Sequence, residues 1–250
     1  MTYVSETRRI DSGGISRSFL LVHPASATAG QPLPIVFALH GDGGNGAGIR
    51  ADLALESAAT TGAIFVYPDA PNGLFEYYTD TGRTREAQFV RDVIGLAVDE
   101  LPADASRVFV TGMSGGATMA NALGCRLGPR VIRGLGIHSG TLYPVNDGNG
   151  VPDFTYIGTG GVSCPLPETL FIWGKADNLE GTSFADGESV RDNYLATQAC
   201  QETSQAWSVT PCVSYNGCGR AVVWCPVEGL GHAVWRQAGP ALWRFFDGLR

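Results

Sequence analysis

The sequence predicts an α/β chain with a mainly parallel central sheet and helices on both faces. Short apolar runs rich in branched and aromatic residues alternate, along the 250 residues, with segments whose apolar residues recur at helical spacing. This alternation is typical of a parallel sheet. The apolar share is 44%, which is enough for a sizeable core. No linker, repeat or low-complexity tract divides the chain, so we expect a single domain over residues 1–250.

Seven segments are predicted to be strands, because each is a short run of apolar, branched or aromatic side chains. They are residues 18–22, 35–39, 64–67, 108–111, 135–138, 170–173 and 222–224.

Helices are predicted where apolar residues share one face. Residues 85–101 have such a face, made of Phe89, Val93, Leu96, Ala97 and Leu101. A second helix closes the chain, where Pro240 suits a first turn and is followed by the stripe Leu242, Phe245, Phe246 and Leu249. A third is expected over 117–127. The glycine- and proline-rich stretch 140–167 is expected to be a long excursion from the sheet.

The distribution of charged and apolar residues argues against two classes of partner, nucleic acids and membranes. The chain has 17 basic and 24 acidic side chains, a net charge of -7. The basic residues are scattered and nearly all are arginine, with Lys175 the only lysine, so we expect no nucleic-acid partner. No apolar run approaches the ~20 residues needed to span a bilayer, so we expect no membrane insertion.

Six cysteines form an even set, and four of them are packed into residues 200–225. This pattern favours disulfides and an oxidising compartment over free thiols. Zinc binding is the alternative, but the cysteines between 200 and 225 include no C-x-x-C pair and have no nearby pair of histidines. We therefore expect a secreted protein, extracellular or periplasmic, whose leader has been removed. The six are Cys125, Cys164, Cys200, Cys212, Cys218 and Cys225.

The sharpest motif is Gly112-Met113-Ser114-Gly115-Gly116, which matches G-x-S-x-G. It follows the strand-like run 107–111 directly and precedes a helix-like run, which is the context that supports the motif. A sharp turn between strand and helix exposes the serine hydroxyl at the carboxyl edge of the sheet, above a helix N-terminus that favours negative charge. The motif predicts Ser114 as a nucleophile. The alternative is that five small residues merely form a turn.

A serine needs a base, and the base needs an acid to orient it. His232 follows the last predicted strand and precedes the final helix, so it is the expected base. Asp177 comes after a strand and a short turn, and is the expected acid. Asp186 and Asp192 are kept as alternatives, although neither follows a strand so closely. His138 lies inside an apolar run and is interpreted as structural.

A second glycine-rich element covers residues 39–46. It lacks the G-K-[ST] ending of a phosphate loop. Together with Ser114 it is interpreted as half of an oxyanion hole, formed by backbone N–H groups near Asp42 and at Gly115. The carboxylate of Asp42 would repel an oxyanion, so we expect this side chain to point away.

These motifs, together with Tyr67-Pro68-Asp69, Val223-Trp224-Cys225 and Gly231-His232-Ala233-Val234-Trp235, resemble secreted carbohydrate esterases of family 1. That group includes feruloyl esterases, acetyl xylan esterases and polyhydroxybutyrate depolymerase-like proteins. The resemblance spans nearly the whole chain and implies an α/β-hydrolase fold with Ser114, His232 and Asp177 as its triad.

The resemblance also implies details around that triad. Trp235 is expected either to wall the acyl pocket or to anchor the last helix. Tyr77 and Tyr78 stand near positions where relatives often carry Trp-Asn, and they are candidate substrate-binding residues. The resemblance further implies a disulfide between Cys125 and Cys164. The other four cysteines are expected to form two more bonds, in a pattern left open.

The expected reaction is acyl transfer from an ester to water, without an organic cofactor or a metal. The expected substrate is a small or polymer-linked ester, foremost feruloyl or acetyl esters on plant polysaccharide. A polyester depolymerase is the main alternative within enzymes. A non-catalytic polysaccharide-binding relative is the alternative from another class. We expect a monomer.

Overall fold

The structure is a computed structural model, and it describes residues 1–28, 30–142 and 162–249. Within these residues ten strands form one sheet, in the order β1-β2-β4-β3-β5-β6-β7-β10-β9-β8. The strands are β1 (Tyr3–Ser12), β2 (Ile15–Pro24), β3 (Leu33–Leu39), β4 (Ile64–Pro68), β5 (Ala103–Met113), β6 (Gly134–His138), β7 (Glu168–Gly174), β8 (Ser204–Ala206), β9 (Val213–Tyr215) and β10 (Val222–Val227).

The six strands from β4 to β10 in the middle of this order are mutually parallel, and antiparallel strands flank them on both sides. Strands β3, β4, β6 and β7 are buried at every position. Complete burial is typical of parallel strands covered on both faces. The carboxyl ends of these strands therefore meet at one edge of the sheet.

Helices cover both faces of the sheet. They are α1 (Gly46–Leu53), α2 (Leu55–Ala58), α3 (Asp80–Glu100), α4 (Gly115–Leu127), α5 (Phe184–Thr197) and α6 (Ala238–Gly248). One apolar cluster joins the sheet to α3, α4 and α5, and a second cluster joins it to α1, α2 and α6. The predicted fold class is confirmed. Among the described residues, no helix is both long enough and apolar enough to cross a membrane.

All seven predicted strands lie within observed ones, but three observed strands had no prediction. Strand β1 is mostly polar and exposed, and it is held by antiparallel pairing with β2 along its whole length. Strands β8 and β9 have only three residues each, which is too short for a recognisable pattern.

Helix α3 begins earlier than predicted, and helices α1, α2 and α5 had no prediction. Helix α3 begins at Asp80, before the predicted 85, because Thr79 accepts a hydrogen bond from the N–H of Gly82 and caps a polar first turn. Helix α5 was not predicted, although Ser183 and Asp186 form a reciprocal capping box at its start. Of the predicted excursion over 140–167, residues 143–161 lie outside the described residues.

Three disulfides link the six cysteines. Cys125 pairs with Cys164, as the resemblance implies. The pattern left open resolves into Cys200 with Cys218 and Cys212 with Cys225. The last bond ties β10 to the loop that enters β9. All six thiols are therefore oxidised in this structure.

A buried ion pair joins the antiparallel edge of the sheet to helix α3. The two guanidinium nitrogens of Arg17 lie 2.7 and 3.1 Å from the two carboxylate oxygens of Glu86, and both side chains are almost fully buried. The guanidinium also stacks over the ring of Phe89 at 4.4 Å. Burial raises the pKa of the Glu86 carboxyl, and the neighbouring arginine opposes this shift. The charged form of Glu86 is therefore stabilised in this buried position by Arg17.

We expect Glu86→Ala to lower the free energy of unfolding by about 3 kcal/mol, because it leaves the Arg17 charge buried without a counterion. The matched control is Glu100→Ala, which removes an exposed partner of Arg8 and should cost under about 1 kcal/mol. Urea denaturation measures both values. Equal losses in the two variants would contradict the assignment of a structural role to the buried pair.

Candidate active site

Ser114 lies at the junction of β5 and α4 with φ 55° and ψ -124°. This backbone conformation is strained for a residue with a side chain. It is supported by close backbone packing, because an ideal Cβ at Gly112 would lie 2.5 Å from the carbonyl carbon of Gly116, and one at Gly116 would lie 2.3 Å from the oxygen of Leu39. Both positions therefore require glycine, as the motif predicts. The N–H of Ser114 also donates to the His138 oxygen at 2.9 Å.

His232 bridges Ser114 and Asp177. Its Nε2 lies 2.9 Å from the Ser114 Oγ, and its Nδ1 lies 2.7 Å from the Asp177 Oδ2. The Asp177 side chain is completely buried, and its second oxygen accepts from the N–H of Leu179 at 3.2 Å. A proton on Nδ1, facing the carboxylate, leaves the Nε2 lone pair facing the serine hydroxyl. The structure thus brings together the three residues expected to form the triad.

The two alternative acids lie elsewhere. Asp186 accepts hydrogen bonds from the N–H and the hydroxyl of Ser183 at the start of α5. Asp192 pairs with Arg191 on the exposed side of the same helix. Both carboxylates are thus engaged in local contacts on α5.

The loop that carries His232 is held by two neighbouring segments. The N–H of Ala176 donates to the Leu230 oxygen at 2.9 Å, which joins the turn after β7 to this loop. His138, at the end of β6, accepts from the N–H of Trp235 at 2.9 Å through Nε2. Burial, together with a smaller contribution from the nearby His232, lowers the pKa of His138 to about 3. His138 is therefore a neutral acceptor, which agrees with its structural interpretation.

The glycine-rich loop after β3 is fixed from both sides. His40 accepts from the N–H of Ala70 at 3.0 Å through Nε2, and its Nδ1 lies 2.7 Å from the Gly41 oxygen. The N–H of Gly43 donates to the Gly73 oxygen at 2.8 Å. Among the described residues, no hydrogen bond from the N–H of Asp42 or Gly115 is present. These two groups remain available as the expected oxyanion donors.

The side chain of Asp42 does not point away, contrary to the expectation. Its Oδ2 accepts from the Tyr77 hydroxyl at 3.1 Å, and its Oδ1 lies within 1.9 Å of where a Cβ at Gly115 would be. The carboxylate therefore packs against the residue that follows Ser114. Two features far from Asp42 in the sequence explain the position of its carboxylate. They are the hydrogen bond from Tyr77 and the space that glycine leaves at position 115.

Ser114 and His232 open onto a cavity of about 580 Å³. Its wall also includes residues that the sequence analysis did not single out: Ile49, Asp52, Met113, Leu179 and Val234. Of these, Met113 and Val234 lie inside two of the quoted motifs, and that position is the signal that would have found them. Ile49, Asp52 and Leu179 are brought to the cavity by the fold and carry no such signal.

The three candidate substrate-binding residues have different surroundings. Tyr77 reaches the site through its hydrogen bond to Asp42. Tyr78 lines a separate cavity of about 210 Å³ beside α3. Trp235 is only 7% exposed and packs in the apolar cluster with α6. Neither Tyr78 nor Trp235 is among the described residues that line the 580 Å³ cavity. The burial of Trp235 against α6 favours the second of its two expected roles, an anchor of the last helix.

Within residues 1–28, 30–142 and 162–249, no group of three or more histidine, cysteine, aspartate or glutamate side chains is arranged to hold a metal ion.

Comparison with known proteins places this chain among esterases. No family model matches the chain. Feruloyl esterase C from Emericella nidulans is 28% identical over 248 residues, which cover 92% of this chain and 83% of the relative. The protein named "Probable feruloyl esterase C" in Aspergillus niger is 27% identical over 250 residues, with the same two coverages. These relatives confirm the predicted resemblance and the predicted class, a carboxylic ester hydrolase.

Solved structures show the same fold. An acetyl xylan esterase from Aspergillus awamori matches with a TM-score of 0.72 at 17% identity, covering 96% of this chain and 99% of that one. A family CE1 ferulic acid esterase from Anaeromyces mucronatus matches with a TM-score of 0.60 at 14% identity, covering 98% of this chain and 89% of that one. The α/β-hydrolase fold expected from the resemblance is confirmed.

We expect His138 to make stability depend on pH. Its folded pKa of about 3 lies below the ordinary 6.5, so the unfolded chain binds the extra proton between these values. The contribution is fully present above pH 6.5 and is lost as the pH falls toward 3. From pH 7 to pH 5 the wild type should therefore lose about 2 kcal/mol more stability than His138→Gln. Urea denaturation at both pH values measures this, and equal losses would contradict it.

Proposed function

We propose that this homologue of the feruloyl esterases C is a secreted serine esterase that hydrolyses feruloyl or acetyl esters on plant polysaccharide. The hydrogen-bonded series Ser114, His232 and Asp177, whose first two members line an open cavity, is the observation that carries the proposal. The activities for which these relatives are named, feruloyl esterase and acetyl xylan esterase, support the choice of ester. Three disulfides favour an oxidising compartment.

The first step is attack of the Ser114 Oγ on the ester carbonyl. The hydroxyl proton passes to Nε2 of His232, which lies 2.9 Å away. The buried carboxylate of Asp177 stabilises the imidazolium that forms and keeps the ring in the required orientation. His232 then returns the proton to the leaving alcohol as the tetrahedral intermediate collapses. An acyl group remains on Ser114.

The oxyanion of that intermediate needs donors that are in place before the reaction. The N–H groups of Asp42 and Gly115, which donate no hydrogen bond within the described part of the chain, serve this purpose in the proposed mechanism. Gly115 also begins α4, whose unpaired first-turn N–H groups add partial positive charge.

The second step repeats this chemistry with water. His232 removes a proton from a water molecule, which attacks the acyl group on Ser114 and releases the carboxylic acid. The proton returns to Ser114 through His232, so the enzyme is restored. Each proton transfer uses the same imidazole, and the sequence of steps requires no metal and no organic cofactor.

We expect Ser114→Ala to lower hydrolysis of 4-nitrophenyl acetate by at least about 10⁴-fold, because the variant has no nucleophile. A fluorophosphonate probe should label the wild type at Ser114 and leave the variant unlabelled. Circular dichroism should show an intact fold in both. An unlabelled wild type would instead favour the non-catalytic polysaccharide-binding protein.

The substrate class is tested by rates on methyl ferulate, acetylated xylan and a hydroxybutyrate polymer, measured side by side. The proposal requires one of the first two to be hydrolysed fastest. A preference for the polymer would instead identify a polyester depolymerase.

The assignment of the acid is tested by two matched substitutions in neighbouring segments. Asp177→Asn should lower kcat by about 10⁴-fold, since the amide cannot stabilise the imidazolium and favours the wrong tautomer. Asp186→Asn changes a residue that caps α5 and should retain nearly the full rate. A comparable loss of kcat in both variants would argue against Asp177 as the acid.

A further inference from the structure

The carboxylate of Asp42 forms part of the cavity wall beside Ser114. The G-x-S-x-G motif leaves the residue after the serine open to any type, yet here it is Gly115. The space of its absent side chain is filled by the Asp42 carboxylate, whose Oδ1 lies within 1.9 Å of the ideal Cβ position. Any other residue at 115 would displace this group. The arrangement thus keeps a negative charge next to the nucleophile.

Tyr77 holds this carboxylate in place. Its hydroxyl donates to the Asp42 Oδ2 at 3.1 Å, and it comes from the segment just before α3. Three separate parts of the chain therefore contribute: the loop after β3, the first residue of α4 and Tyr77. A surface carboxylate without a role would not need glycine on one side and a hydrogen-bond donor on the other.

A second carboxylate on the cavity wall reinforces the negative charge of Asp42. Asp52, on α1, lines the same cavity. None of the described residues that line the cavity is a lysine or an arginine. Because like charges repel, two carboxylates without a facing cation lower the local concentration of any anion.

Ester hydrolysis changes the charge of what the cavity holds. The ester is uncharged at its reacting group, and water converts it into an alcohol, a carboxylate and a proton. A carboxylic acid with an ordinary pKa near 4 is ionised at neutral pH. The product therefore carries the charge that Asp42 and Asp52 repel, while the ester does not.

We propose that Asp42, assisted by Asp52, is a charge-selective residue that admits uncharged esters and repels carboxylates, both as substrates and as the acid product. This inference rests on the proposed esterase function and deepens it. Asp42 has two separate roles in the site: its backbone N–H faces the oxyanion, and its side chain selects between neutral and anionic ligands. Tyr77 is a positioning residue, because it acts through Asp42.

The test compares two inhibitors that differ in charge but hardly in shape. Ferulate is the anionic product, and ferulamide is its neutral analogue. Both are measured as competitors of 4-nitrophenyl acetate hydrolysis at low ionic strength, in the wild type, in Asp42→Asn and in Asp99→Asn. Asp99 is exposed and lies away from the site, in a depression between α3 and β5. Asp99→Asn therefore changes the net charge by the same amount as Asp42→Asn without changing the charge of the cavity.

We expect the wild type to bind ferulamide more tightly than ferulate. In Asp42→Asn the ratio of the two inhibition constants should shift toward ferulate by about three- to tenfold. Asp99→Asn should keep the wild-type ratio. About 0.5 M NaCl should reduce the wild-type discrimination, because salt screens exposed charges. Asp52→Asn should shift the ratio in the same direction by less, and it leaves the contact with Gly115 intact.

An unchanged ratio in both Asp42→Asn and Asp52→Asn would overturn the inference, and so would an equal shift in Asp99→Asn. Discrimination that does not respond to salt would also overturn it, since it would then arise from shape. A wild type that binds ferulate as tightly as ferulamide would overturn it as well. A wild type that hydrolyses no ester would instead refute the proposed function, so the two failures are distinguishable.

Discussion

The close backbone packing around Ser114 is the contact on which the rest of the site depends. Glycines at 112 and 116 let β5, α4 and the end of β3 approach more closely than any Cβ would permit. This packing holds Ser114 at φ 55° and presents its hydroxyl to His232. The strain persists because β5 is hydrogen-bonded to β3 on one side and to β6 on the other, so the surrounding sheet determines the turn.

The parallel sheet then brings the other groups to the same place. Strands β7 and β10 are paired and parallel, so the loops that follow them, with Asp177 and His232, emerge side by side. The neutral ring of His138 connects the second of these loops to β6. A protonated ring could not accept the hydrogen bond from Trp235, so the burial that lowers the pKa of His138 also preserves the contact.

Charge of two kinds surrounds the nucleophile. The first-turn N–H groups of α4 carry partial positive charge and hydrogen-bond directly to a developing oxyanion in the proposed mechanism. The carboxylates of Asp42 and Asp52 carry full negative charge and act through space on any anion in the cavity. We infer that the site stabilises the short-lived oxyanion, because backbone N–H groups hydrogen-bond to it. The carboxylate of a substrate or product has no such donors and is repelled by Asp42 and Asp52.

The sequence by itself determined the fold class and the central strands, and it predicted the series Ser114, His232 and Asp177 with two alternative acids still open. These follow from local patterns and from the rule that parallel strands end at one edge, so residues just after strands come together. Only the tertiary structure decided that the Asp42 carboxylate packs against Gly115, that Trp235 is buried under α6 and that Tyr78 lines a different cavity. The reason is physical: these positions depend on which distant side chains fill the same space, and no periodicity or spacing along the chain records that.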